Sequence, residues 1–415
     1  MHKSGKSHKT FTITIDKLVY EGAGLGRHRG KVIFVPFSVP GDRLLARAVE
    51  VKSKFTRAEI VRILEPGPGR VDPVCPYFGK CGGCHWQQLN YRRQVDAKRE
   101  ILEEILHHRF SGTRELPINM TACPQPFSYR SRARVQLRGS GPRSTIGFFR
   151  HGSRSVEDIE SCPLFRPSLN QALAALRRFK IQIGCDPGMR EMDIACSEES
   201  GTWDTVPCRS GVDKNTEDTS GSSSRSEEVF LQRAVGEFLY SLTAPVFFQA
   251  NDFMVPELVS LVLNSATNGR NDSALDLYAG VGLYSLPLAR HFQQVIAVEY
   301  SPDAARLCTK NASNAGLVNV QTVCADVATW MNSVGDSEFS IVVLNPPRTG
   351  AGSKVMERIA QWAPETIIYV SCNPLTLVRD ISRIPAGKYK VDLAEGLDLF
   401  PQTFHFETIV RLVRI

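Results

Sequence analysis

Hydrophobic and polar positions alternate with two different periods along the chain, and the change of period divides it. Residues 11–15 alternate at period 2, and 31–37, 44–51 and 58–64 read as further short strands. Between them lie Gly22, Gly24, Gly26, Gly30 and Pro40-Gly41. Short strands with such spacers predict a small OB-like β-barrel, the glycines supplying turns with positive φ. A strand and not a helix follows the glycines, which argues against a nucleotide fingerprint. Pro66-Gly67-Pro68-Gly69 is a stiff break. Residues 91–110 then run at a helical period, with Val95, Ile101, Leu102, Ile105 and Leu106 on one side. Residues 129–137 and 145–150 read as a basic strand pair, open to two uses, a solvated sheet face or an RNA-contacting one. Residues 185–228, Ser/Asp/Glu-rich from Thr216, read as a long surface loop.

From Phe247 the pattern changes again. Strands are expected at 274–278, 295–298, 320–323, 341–344 and 367–370, and helices at 283–291 and 302–315. The alternation predicts an α/β fold with a doubly wound, mostly parallel sheet. The expected organisation is a barrel over 1–66, a central α+β domain over 67–245 and an α/β domain over 246–415. Helix 91–110 is expected to pack on the last.

Composition sharpens this picture in two places. Residues 1–70 hold 14 Lys and Arg against 6 Asp and Glu, so they carry +8 while the remainder nets −1 of the overall +7. A basic excess confined to the barrel end suits nucleic acid. Eleven cysteines with no secretory pattern at the start suggest thiols, metal ligands or catalysts in a reducing, cytoplasmic setting. No apolar run is long enough for a membrane span, and no protein partner is evident.

Three constellations carry candidate chemistry. Cys75-Pro-Tyr-Phe-Gly-Lys-Cys81-Gly-Gly-Cys84 gathers three thiols around a glycine turn, with Cys162 as the best fourth ligand. The spacing is nearer iron–sulfur ligation than the paired C-x₂₋₄-C of structural zinc, which stays open as the second reading. Asp276-Leu-Tyr-Ala-Gly-Val-Gly282, with Glu299 ending the next strand, is a nucleoside-binding arrangement lacking a third glycine. A dehydrogenase would fit it almost as well. Finally, the strand at 367–370 breaks at Ser371-Cys372-Asn373-Pro374 and presents a thiol where an open sheet meets ligands. Cys372 is either a nucleophile or a buried structural cysteine. Glu407, in an otherwise apolar strand, is either a base or a surface carboxylate. His405 either helps a proton move or is structural.

These motifs, with Leu344-Asn-Pro-Pro-Arg-Thr-Gly350 and Asp398-Leu-Phe-Pro401, occur in an order that resembles the RNA 5-methyluridine methyltransferases. Glu21-Gly-Ala-Gly-Leu-Gly-Arg27, Val35-Pro-Phe37 and Pro40-Gly-Asp42 resemble a TRAM domain, an RNA-binding barrel. Together with the cysteine triple they resemble the branch that carries a [4Fe–4S] cluster and modifies ribosomal RNA. The resemblance implies a Rossmann-like methyltransferase domain that uses S-adenosylmethionine to methylate carbon 5 of a uridine. It implies Cys372 as nucleophile, Glu407 as base, and Gln249, Tyr278, Glu299, Asp326 and Asn345 around the cofactor. It also implies structured RNA as partner, ribosomal before transfer RNA. The chain departs from the family at Asn345, where aspartate is usual, and at Ala279, where cysteine is common. Two other readings remain: an amino-methyltransferase built on Asn345-Pro-Pro-Arg348, and a non-catalytic, cluster-containing RNA-binding protein.

Overall fold

The computed structural model describes residues 10–110, 115–139, 144–179, 191–208, 229–267 and 269–415. Strands β1 (Thr10–Leu18), β2 (Gly24–His28), β3 (Lys31–Val35), β4 (Arg43–Val51) and β5 (Phe55–Glu65) close into a barrel of order β1-β2-β3-β5-β4. Every second residue of β1, β3 and β4 points inward, so Ile13, Ile15, Ile33, Val35, Leu44 and Ala46 form its core with Ala58. The glycines divide into two jobs. Gly22 and Gly30 adopt positive φ as expected. Gly24 and Gly26 do not; they lie within β2, where a Cβ would stand 2.0 Å from Ser38 Oγ and 2.3 Å from the Thr14 carbonyl. Close approach, not turn geometry, requires glycine there.

Helix α1 (Tyr91–Arg109) and the short strand β6 (Asn119–Thr121) follow. The Asn90 side chain accepts from Arg93 N at the start of α1, a normal N-cap. Next come β7 (Arg132–Arg138), β8 (Thr145–Phe149), β9 (Val156–Asp158), α2 (Pro167–Phe179), β10 (Glu191–Ser197) and β11 (Thr202–Pro207). These strands form one sheet of order β11-β10-β7-β8-β9. The loop expected over 185–228 is therefore partly wrong: six residues of β10 pair with β11 as an antiparallel hairpin, and β10 also pairs with β7. The alternating Met192, Ile194 and Cys196 face the core of this sheet and give it its reason to be a strand. Residues 209–228, which hold the Ser/Asp/Glu-rich stretch, lie outside the described residues. Strands β12 (Leu231–Val235) and β13 (Phe238–Leu242) make a separate hairpin.

The remainder is the expected doubly wound unit. Its elements are α3 (Val255–Ala266), β14 (Ser273–Leu277), α4 (Ser285–Leu288), β15 (Gln294–Glu299), α5 (Pro302–Asn314), β16 (Val320–Cys324), α6 (Val327–Ser333), β17 (Ile341–Leu344), α7 (Ser353–Trp362), β18 (Thr366–Ser371), α8 (Pro374–Ile381), β19 (Tyr389–Leu397) and β20 (Glu407–Arg414). The sheet order is β16-β15-β14-β17-β18-β20-β19-β6. β14 to β18 run parallel, and β20 returns antiparallel against β18. Both faces are buried. In β18, Ile368 and Val370 join the layer of α3, α4 and α5, while Ile367 and Tyr369 join the layer of α1, α6, α7 and α8. That explains a continuous apolar run in place of alternation.

The helix expected at 283–291 is only one turn. Pro287 has no N–H to give to the Leu283 carbonyl, which accepts from the Tyr240 hydroxyl instead. Helix α1 belongs physically to this unit. Lys98, with no exposed surface, donates to Asp398 Oδ1 at 2.6 Å and to the Phe400 carbonyl at 3.1 Å. Gln94 and Gln402 exchange hydrogen bonds through their side chains and the Gln402 N–H. β6 then adds the eighth strand through a parallel ladder with β19. No helix among the described residues is long and apolar enough to cross a membrane.

Candidate active site

The parallel strands end along one edge, and their order reverses at β14, which is flanked by β15 on one side and β17 on the other. A crevice opens at such a switch point. The turn after β14 lines it. Tyr278 sits at φ +62° and Gly280 at φ +58°. A Cβ at Gly280 would meet nothing within 4 Å, so this backbone faces open space that a ligand can enter. Glu299, ending β15, accepts from Gly280 N at 2.8 Å and from Ser301 N at 2.7 Å. One lone pair on each carboxylate oxygen is thereby used, and the carboxylate is fixed for a diol to donate to the rest.

Asp276, fully buried, accepts from Ser285 Oγ at 2.5 Å. Burial, against the hydrogen bond from Ser285, pushes its carboxyl up to about 7. Asp326 caps α6, its Oδ1 accepting from Thr329 N and Oγ1 at 2.9 and 2.8 Å. Those hydrogen bonds hold its pKa below the usual range. Burial raises the Tyr278 phenol to about 12, and the carboxylates of Asp326 and Asp380 add to the effect. The Asn345 N–H donates to the Leu277 carbonyl, which sets Asn345 at the end of β17 beside Tyr278. Gln249 is buried elsewhere. It lines a cavity with Ser131, Arg132, Arg233 and Thr243, and none of the other four expected cofactor residues lines that cavity.

The thiol and carboxylate meet through the sheet. β18 and β20 pair with Ser371 opposite Thr408, so one further step along the antiparallel register sets Cys372 beside Glu407. Glu407 is 2% exposed. Burial raises its carboxyl from 4.5 to about 8, opposed by the Arg348 guanidinium. Cys372 is pushed up to about 11 by burial and by the Glu407 charge; Arg348 lowers it through its charge and a hydrogen bond to the thiol. Ionisation of either group therefore works against ionisation of the other, and Arg348 favours the anion of both. Asn373 caps α8 by accepting from Leu375 N and Thr376 N, which sets the thiol at a helix N-terminus, where a thiolate is favoured. The Asn373 amide and the Thr376 hydroxyl both donate to the Arg348 carbonyl and hold the Asn345–Arg348 loop against α8. Asp380 anchors the loop's far end by accepting from Ala351 N at 2.7 Å and from the Tyr369 hydroxyl at 2.8 Å. His405 stacks on Phe404 with ring centroids 4.1 Å apart, and burial lowers it to about 3, so it is a neutral imidazole.

Two site residues escaped the sequence. Arg348 was visible only as part of a loop motif. Tyr20, at the end of the barrel, donates to Asn373 Oδ1 at 3.3 Å; its phenol is raised to about 12 by burial and then by Cys372. No local pattern announces a contact across that separation.

Cys75, Cys81, Cys84 and Cys162 line one pocket. Gln87 Nε2 donates to Cys84 Sγ at 3.2 Å and Gly83 N to Cys81 Sγ at 3.4 Å. Burial raises all four thiols, Cys162 to about 11. Among the described residues, no group of three or more His, Cys, Asp or Glu side chains is arranged to hold a metal ion. In the basic strand β7, Arg132 and Arg134 are both engaged within the protein. Arg132 donates to the carbonyls of Ala244, Val246 and Phe248, and Arg134 makes a two-point pair with Asp193.

Comparison with known proteins follows the same division. A family model described as tRNA (uracil-5-)-methyltransferase matches residues 227–415, and a TRAM domain model matches residues 7–61. An uncharacterized RNA methyltransferase of Synechocystis is 32% identical over 441 residues, covering 96% of this chain and 95% of that protein. The 23S rRNA (uracil(1939)-C(5))-methyltransferase of Vibrio cholerae is 27% identical, covering 99% of this chain and 98% of that protein. The crystal structure of Pyrococcus abyssi tRNA (uracil-54, C5)-methyltransferase, in complex with S-adenosyl-L-homocysteine, superposes with a TM-score of 0.73. At 24% identity over 97% of this chain and 99% of that one, it speaks for the shared fold.

Proposed function

We propose that this chain, which belongs to the RNA uracil-5-methyltransferase family, methylates carbon 5 of a uridine in structured RNA through a covalent adduct on Cys372. The observation that carries the mechanism is the Cys372–Glu407 pair at the ligand edge of the sheet, with Glu407 raised to about 8.

Carbon 5 of uracil is a poor nucleophile. The Cys372 thiolate, held by Arg348, adds to carbon 6 and moves the 5,6 π pair into an enolate. That pair returns through carbon 5 onto the methyl of S-adenosylmethionine, and the sulfonium carbon–sulfur bond breaks. Glu407, ionised, then takes the carbon 5 proton. The C–H pair re-forms the 5,6 double bond and Cys372 leaves as thiolate. In sum, one C–H becomes C–CH₃ and one proton passes to Glu407. Glu299 suits the ribose hydroxyls, Asp326 the adenine side, and Tyr278 packing on the cofactor. Asn345 can accept from uracil N3–H and donate to a ring carbonyl. Gln249 completes the set only if the substrate complex opens its cavity toward Tyr278.

Ribosomal RNA is the preferred substrate, supported by the full-length likeness to the Vibrio enzyme; transfer RNA is the competing one. Four partly buried thiols on one pocket, two of them with N–H donors from Gly83 and Gln87, have the donor chemistry of a [4Fe–4S] site. We assign Cys75, Cys81, Cys84 and Cys162 to that cluster. Iron and sulfide analysis of anaerobically purified protein tests this; zinc without sulfide would replace it.

The reaction is tested with labelled S-adenosylmethionine and unmodified ribosomal RNA, followed by digestion to nucleosides. Label in 5-methyluridine, absent with Cys372→Ala, is expected. Label in another nucleoside, surviving that substitution, would overturn the mechanism in favour of an amino-methyltransferase.

A further inference from the structure

A second cavity, of about 380 Å³, opens between the barrel and the segment that follows the cysteines. Its size falls in the range that takes small flat ligands. Five aromatic rings line it: Tyr20, Phe34 and Phe37 from the barrel, His85 and His151 from the central part. Arg57 and Glu21 oppose each other in charge at the lining, so the cavity has no marked preference for an anion. A phosphate would find one guanidinium, already 3.6 Å from Glu50. A neutral aromatic ligand would find several ring faces and edges.

Three features set this cavity apart from ordinary packing. Glu21 and Phe37 both adopt left-handed backbone, at φ +75° and +62°. Such a conformation costs about 1 kcal/mol or more without glycine and gathers at ligand sites. It turns the Phe37 ring onto Phe78 and His151, at centroid distances of 5.3 and 4.9 Å. His85 Nδ1 is buried with no hydrogen-bond partner among the described residues, and a base edge carries both donors and acceptors. Finally, Tyr20 belongs to two sites: its ring lines this cavity and its hydroxyl donates to Asn373, next to Cys372.

We propose that this cavity receives a second nucleobase, a near neighbour of the target uridine in the same strand, unstacked from the RNA and held between the barrel and His85. The inference rests on the reading of the chain as an RNA methyltransferase and names part of how it grips its substrate. Extruding the uridine breaks the stack on both of its sides. A ring-lined pocket next door gives one freed neighbour a place to stack, which holds the strand open while the thiol adds.

The test uses full-length protein and a labelled hairpin RNA whose single-stranded loop carries one uridine, with affinity read by anisotropy. Loop nucleotides are replaced one at a time by an abasic residue. Wild type is expected to lose affinity about tenfold at one abasic position flanking the uridine, within the range of a lost base–aromatic stack. Phe34→Ala is expected to bind about tenfold more weakly and to show no further loss at that position. Phe34→Leu, which keeps apolar volume in the barrel, should bind like Phe34→Ala and melt like wild type. Variants that bind as wild type does, or abasic losses that add to Phe34→Ala at every position, would overturn the pocket. Methyl transfer to the same hairpin is scored separately, so tight binding without transfer counts against the reaction while the abasic series still decides the pocket.

Discussion

Replacing Glu407 by glutamine should stabilise the protein at alkaline pH while trapping it on its substrate. In the folded chain the carboxyl titrates at about 8 against an ordinary 4.5, because burial disfavours its charged form and Arg348 only partly offsets this. The folded state therefore holds a proton that the unfolded chain releases between those two values. Stability must fall as pH rises through that window. At about 1.4 kcal/mol per unit, the full difference is on the order of 5 kcal/mol, and roughly 2 kcal/mol of it accrues between pH 6 and pH 8. Glutamine keeps the shape of the neutral acid and has no proton to lose. Melting of wild type and Glu407→Gln at both pH values is the assay. The variant should gain on wild type by about 4–8 °C between pH 6 and pH 8, using 2–4 °C per kcal/mol for a unit of this size. A gap that is the same at both pH values would refute the assignment of the raised pKa to Glu407. The same variant loses the charge that raises Cys372, so its thiol should add to uracil readily. Without a base at carbon 5 the adduct cannot resolve. A denaturation-resistant protein–RNA species should accumulate with Glu407→Gln and be absent from Cys372→Ala.

Other consequences follow from the same geometry. The rate at which the methylated adduct resolves should rise with an apparent midpoint near 8, since Glu407 must be ionised to take the proton; a single-turnover resolution rate that is flat from pH 6 to pH 9 would contradict it. Arg348→Lys keeps a charge but not the guanidinium fork, so it should move the rising limb to higher pH and lower the rate about tenfold or more. Asn345 should support turnover, and Asn345→Asp should change the rate modestly; a wild type without activity that this substitution restores would show that a negative charge is required there. Lys98→Ala leaves Asp398 buried without its cation and should cost roughly 3–5 kcal/mol. Lys98→Met combined with Asp398→Leu should recover most of the lost melting temperature.

Much of the fold was legible because it depends on short-range pattern. Alternation at residues 11–15 and the short apolar run that starts at Val32 are enough to build β1 and β3 of a barrel, and the apolar run at 367–370 is what a strand buried on both faces requires. The break at Asn373-Pro374 both ended β18 and started α8, so the place of the thiol followed from local chemistry. Misreadings came where two local signals compete. Gly24 and Gly26 look like turn residues, yet only the neighbouring Ser38 and Thr14 reveal why a side chain is excluded. The hairpin of β10 and β11 was hidden by the polar stretch that follows it.

What only the tertiary structure decided is pairing across distance and the free energy of burial. The sequence leaves Glu407 as a base or a surface carboxylate; antiparallel pairing of β20 with β18 brings it to Cys372 and shuts out water, which raises its pKa to about 8. Lys98 reads as one more charge on an amphipathic helix until Asp398 is seen to enclose it. Tyr20 reaches the thiol from the barrel, and Arg134, which looks free to meet RNA, is held by Asp193. Residue type and spacing thus determined which strands form and which chemistry was available. The charge state and partners of each group waited on the fold, because electrostatic energy depends on three-dimensional distance and solvent exclusion, and neither is a local property of the chain.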